Sequence, residues 1–94
     1  MDSEFDPEKD AANTGKHGVP LAFGARVFDD VDVLIIPTIR EIDEEERYKA
    51  IGLVDGVLWT AVHVYRGERV RFISVRRSNA GEQRAYDGDT GRSG

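Results

Sequence analysis

Ninety-four residues, no cysteine and a formal charge of −5 set the first limits. That length allows one domain with a thin core, and the missing cysteines exclude disulfides and thiolate metal sites, as suits a reducing cytoplasm. No apolar run is long enough to span a bilayer, and the acidic start MDSEFDPEKD is the opposite of a signal peptide's basic n-region. The expectation is a soluble cytoplasmic protein, one domain over residues 1–94, with a core at about 5–87 and a flexible tail at 88–94.

FDPEK opens the first helix, with Asp6 as N-cap and Pro7 at the first helical position. The helix runs to His17 and stops at Gly18 before Pro20, leaving Lys16 and His17 in the last turn, where positive charge suits the dipole. Leu21 to Phe28 reads as a short second helix with Leu21, Ala25 and Phe28 on one face. DVLIIP is a short strand closed by Pro37, and TIREIDEEE an acidic loop. RYKAIGLV and VLWTAVHVY form a hairpin about Asp55-Gly56, and RGE turns the chain into RVRFISVR. Asn79 and Glu82 have the spacing of a capping box, opening a last helix that carries Arg84 and Tyr86. DGDTGRSG reads as a frayed tail. The predicted fold is α+β: two N-terminal helices, an antiparallel four-stranded sheet and a C-terminal helix.

Charge is unevenly spread. From Arg66 to Arg84 there are six arginines against two acids, while MDSEFDPEKD and Asp29 to Glu46 hold most of the acidic excess. One surface is therefore expected to meet phosphate and another to be acidic. Simple alternation puts Val57, Trp59, Ala61, His63 and Tyr65 on one face of their strand. In the next it separates Arg69, Arg71, Ile73, Val75 and Arg77 from Val70, Phe72, Ser74 and Arg76. Both faces come out apolar in the middle and basic at the ends. A wholly buried strand would not carry Arg71 and Arg76, so one sheet face should be partly uncovered, as a basic groove.

The ordered set FDPEK, NTGKHGV, VFDD, ERYKAIG, VYRGERVRFISVRR and EQRAY, from Phe5 to Tyr86, resembles the BrnT family of bacterial type II toxin–antitoxin systems. That resemblance implies a RelE-like fold, a ribonuclease that lowers translation without a cofactor, and RNA as substrate. It also implies a BrnA-type ribbon-helix-helix antitoxin. The two would form a heterotetramer that represses its own operon, touching DNA only through the antitoxin. The sequence departs from the family at three places. Gln83 stands where a second arginine is usual, LAFGA lacks the usual acids, and Val75 replaces an alanine.

A metal-free ribonuclease needs a base for the 2′-OH, cations for the phosphorane, an acid for the leaving oxygen and a grip on the nucleotide. Arg71, Arg76 and Arg77 are the leading electrostatic candidates, since guanidinium is planar, bidentate and always charged. The plain alternative for each is a surface salt bridge. His17 is the first acid/base candidate, with a helix C-cap as its alternative; His63, between apolar neighbours, reads more simply as a satisfied, partly buried histidine. Tyr86, on the last helix that carries catalytic residues in RelE-like toxins, joins the catalytic set by that analogy. Lys9, Lys16, Tyr48, Arg66 and Arg84 are candidate RNA contacts. Glu82 is a second-rank base, already explained by the capping box. No metal site is expected: there are two histidines, and IDEEE has no EF-hand spacing. The rival reading is a non-catalytic module or co-repressor that grips a protein target or its antitoxin through the same groove.

Overall fold

In a computed structural model, which describes residues 1–38 and 46–90 (of Thr90 the backbone alone), the first helix starts where its chemistry directs. The Asp6 carboxylate accepts the Glu8 N–H at 2.9 Å and Pro7 opens α1, Pro7–His17. A 3₁₀ turn at Leu21–Phe23 leads directly into α2, Gly24–Phe28, so the predicted second helix is present with its first turn tightened. The strands are β1, Ser3–Glu4; β2, Leu34–Thr38; β3, Arg47–Val54; β4, Val57–Arg66; and β5, Arg69–Arg77. Helix α3 spans Ala80–Thr90.

The sheet corrects the four-stranded antiparallel expectation. Among the described residues it has five strands, in the order β1-β5-β4-β3-β2, and is mixed. Strands β2 to β5 form the antiparallel meander, while β1 pairs in parallel with the start of β5, Ser3 against Val70 and Glu4 against Arg71. A two-residue polar strand has no alternation to betray it, and only the long-range pairing identifies it. Pro37 lies inside β2 rather than closing it. An edge strand tolerates this, because one row of its backbone donors needs no partner. Gly88 to Thr90 belong to α3, not to a tail; residues 91–94, and the acidic loop apart from Thr38 and Glu46, lie outside the described residues.

The β3–β4 hairpin turns at Asp55 and Gly56, both with positive φ, 49° and 79°. That pair of left-handed residues matches the strands' twist. The main core lies between the N-terminal helices and one sheet face. Leu21 and Val27 meet Ala50, Val54, Trp59, Ala61, Val70, Phe72 and Val75 there. His63 belongs to this side. It is fully buried among Phe28, Tyr48, Tyr65 and Phe72, with a ring nitrogen donating to the Ala61 carbonyl at 3.0 Å. Burial lowers its pKa, only partly offset by that bond, so it stays neutral. Helix α3 covers part of the opposite face through a smaller cluster, Tyr86 with Ile51 and Leu58. Among the described residues no helix is long and apolar enough to cross a membrane.

Helix α2 approaches β3 so closely that only glycine fits at position 52. A Cβ there would lie 2.5 Å from the Val27 carbonyl oxygen. Backbone cannot yield as a side chain can, so Gly52→Ala is expected to destabilise the fold by about 1–3 kcal/mol. A thermal melt should show this as a midpoint lowered by roughly 4–8 °C per kcal/mol; an unchanged midpoint would contradict the close approach.

Candidate active site

The site begins with an irregularity in β5. The register runs Ala61 with Val75 and Val62 with Ser74, then His63 with Phe72, so Ile73 is an extra residue. A bulge of this kind interrupts alternation. Before it, Val70 and Phe72 face the main core, and after it Val75 does. The predicted split of β5 therefore changes. Arg69 and Arg71 share a side with Arg76, while Arg77 turns to the core side, its guanidinium 5.8 Å from the centre of the Trp59 ring.

The side bearing Arg71 and Arg76 is also the side of α3. From the pairing, its cross-strand neighbours are Thr60, Val62 and Val64 on β4, then Ile51, Lys49 and Arg47 on β3. Arg66 follows the same alternation, opposite Arg69. This face thus carries Arg47, Lys49, Arg66, Arg69, Arg71 and Arg76. Helix α3 leaves it part open: the Lys49, Arg71 and Arg76 side chains are each about one third exposed (30%, 31% and 28%).

Glu82 organises the centre of this face from α3. Its side chain is only 5% exposed. Arg76 binds it with two parallel bonds, Nη1 to Oε1 at 2.8 Å and Nη2 to Oε2 at 2.9 Å. Lys49 Nζ stands 3.0 Å from Oε2, and Thr60 donates to Oε1 at 3.0 Å. Thr60 in turn accepts from the Ser78 hydroxyl at 2.7 Å. The capping box read from the sequence is present: Asn79 N–H donates to Glu82 Oε1, and the Asn79 side chain accepts from Glu82 N–H, both at 2.9 Å. Burial pushes the Glu82 pKa up, but the bonds from Arg76, the Asn79 backbone and Lys49 outweigh it and hold the carboxyl at about 2. At neutral pH Glu82 is an anion that holds two cations in place, not a proton acceptor.

A second set of candidates meets at the β5 edge. Lys9, Lys16 and His17 of α1 line a cleft of about 260 Å3 with Ala12, Ile73 and Ser74. The cleft thus reaches the bulge, between Arg71 and Arg76 along the strand. Glu4 of β1 stands 3.8 Å from Arg71 and 3.9 Å from Arg69, loose contacts beside the tight Glu82 pair.

The remaining candidates lie elsewhere. Tyr48 is on the core side, stacked on His63 and 5.2 Å from Tyr65. Tyr86 is 1% exposed, and its hydroxyl donates to Asp30 at 2.5 Å, which anchors α3. Arg84 is exposed on α3. Sequence reasoning did not single out Lys49. The signal for it was there: in RYKAIGLV, Arg47 and Lys49 alternate onto the same side as Ile51 and Leu53.

Face and cleft define a class: a small α+β domain whose sheet gathers cations on one side, as suits an anionic ligand. Residues 5–82 match the family model described as ribonuclease toxin, BrnT, of type II toxin-antitoxin system, and the chain belongs to that family. A search of curated proteins found no match.

The Glu82 pKa of about 2, against an ordinary 4.5, gives a signed prediction. A carboxyl held down in the folded state stabilises above pH 4.5, and the contribution is lost as pH falls towards 2. Glu82→Gln should therefore cost on the order of 3 kcal/mol at pH 7. In urea unfolding at a series of pH values, the gap to the unmodified chain should close between pH 4.5 and 2. A gap that does not change with pH would show that the carboxylate's charge is not what matters.

Proposed function

We propose that this toxin is a metal-independent endoribonuclease of RelE-like fold that cuts RNA by 2′-OH attack. The 2′ oxygen bonds to phosphorus, the bond to the 5′ oxygen breaks, and the products are a 2′,3′-cyclic phosphate and a 5′-OH. The observation that carries this reading is the gathering of Arg71, Arg76 and Lys49 on one open face beside the cleft that holds His17. Arg76 and Lys49 share a single carboxylate, so their centre keeps a net positive charge for the phosphorane. Glu82 pre-orients both cations, and that charge stabilisation then requires no rearrangement during reaction. His17, at the cleft, takes the 2′-OH proton or protonates the leaving oxygen. Tyr86 serves by anchoring α3, and Arg77 by stacking on Trp59; neither is given a chemical step.

The antitoxin in this reading is a BrnA-type ribbon-helix-helix protein that covers the basic face. Toxin and antitoxin form a heterotetramer in the cytoplasm that meets DNA only through the antitoxin. One observation favours a second reading, a non-catalytic module or co-repressor gripping a protein through the same face. Arg76 and Lys49 are both bound to Glu82, and Arg69 and Arg71 both approach Glu4, so part of the charge is already compensated.

Purified toxin incubated with RNA in a metal chelator separates the two. The nuclease reading predicts cleavage with cyclic phosphate ends. Arg71→Ala should slow it by about 100-fold or more, the scale of losing one transition-state donor. Arg26→Ala, which breaks an exposed pair with Asp55, serves as a charge-matched control and should not change the rate. Arg71 is the better probe than Arg76, whose removal would also leave Glu82 buried without its main partner. Intact RNA would reject the nuclease and favour the gripping module.

A further inference from the structure

Lys9, Ala12, Asn13 and Lys16 fall at the spacing that stacks side chains along one helix face. That face of α1 lies against the edge of β5. Asn13 makes the junction rigid: its amide nitrogen donates to the Val19 and Val75 carbonyls at 2.8 and 2.9 Å, and its oxygen accepts the Val75 N–H at 3.0 Å. The side chain stands in for a neighbouring strand, and both its N–H donors are used. It has no donor left with which to read a base edge.

What the cleft offers is an aliphatic floor and a cationic rim. Ile73, the extra residue of the bulge, and Ala12 supply the floor, and Lys9 and Lys16 supply the charge. Among the described residues neither lysine has an ion-pair partner. That sets them apart from Lys49, Arg69, Arg71 and Arg76. An apolar floor under uncompensated ammonium groups fits a nucleotide: a flat base against the aliphatic surface and a phosphate on the lysines.

We infer that this cleft is a nucleotide subsite, seating the unit of the RNA chain that flanks the scissile bond held at Arg71 and Arg76. The inference rests on the nuclease reading and deepens it. With both Asn13 donors engaged and the lysines on the phosphate, the base meets mainly the aliphatic floor, so the subsite takes any base and contributes grip rather than sequence choice. The bulge gives the subsite its place, since Ile73 and Ser74 sit on β5 between the two arginines.

Single-stranded 2′-O-methyl RNA, which lacks the attacking hydroxyl, isolates binding from chemistry. Fluorescence anisotropy across a salt series should show the unmodified toxin binding it, and Lys9→Ala and Lys16→Ala each weakening it several-fold. Each should also lower the salt slope by about 0.7, the share of one phosphate contact on a single strand. Ala12→Glu, at an exposed helix position, brings a carboxylate to the floor and should weaken binding further. Arg26→Ala removes one charge far from the cleft and should leave affinity and slope as they were. If Lys9→Ala, Lys16→Ala and Ala12→Glu all bind like Arg26→Ala while the unmodified toxin still cuts RNA, the subsite is wrong and the nuclease stands. A toxin that neither binds nor cuts RNA overturns both.

Discussion

A buried carboxylate with two cations on it holds this protein's cationic face together. Helix α3 has little apolar surface to offer. Tyr86 is its buried aromatic anchor, and Glu82 is its buried charged one. Removing a lone charge from water is costly, so Glu82 is tolerable only because Arg76, Lys49, Thr60 and the Asn79 N–H surround it. The same bonds set the positions of Arg76 and Lys49 on the sheet. Docking of α3 and arrangement of the site are thus one interaction seen from two sides. The side chain that reads as a helix cap is also the one that orders the cations.

The second constraint is the bulge at Ile73. Without it, strict alternation would put Arg71 and Arg77 on one side and Arg76 on the other. The extra residue brings Arg71 and Arg76 together and sends Arg77 to stack on Trp59. It also shapes the cleft beside α1. An acidic chain thereby presents a cationic face, because its charges are separated in space rather than balanced on average. The chain belongs to a ribonuclease toxin family, and in the proposed function that face is the working side.

Local features were legible because local chemistry determines them. The Asp6-Pro7 helix start, the Asp55-Gly56 hairpin and the Asn79–Glu82 capping box all appear as read. The partly open basic face was also legible, from arginines that a buried strand would not carry. The features that escaped depend on distant partners. Strand β1 is two polar residues that become a strand only by pairing with Val70 and Arg71. Lys49 gains its role from Glu82, which lies far along the chain. The bulge has no marker such as glycine in VRFISVRR, so the sides of Arg76 and Arg77 could not be read correctly. Tyr86 looked like a site residue on the last helix, but its hydroxyl is engaged by Asp30, a partner that only the fold supplies.

All of this requires that RNA lie on the α3 side of the sheet. Backbone amide NMR shifts, followed as non-cleavable RNA is added, test that most directly. The account predicts shifts concentrated at Lys49, Arg71, Ser74 and Arg76, with Trp59, Tyr65 and Arg77 little changed. Shifts concentrated at Tyr48, Tyr65 and Arg77 instead would put the ligand on the other face and contradict it.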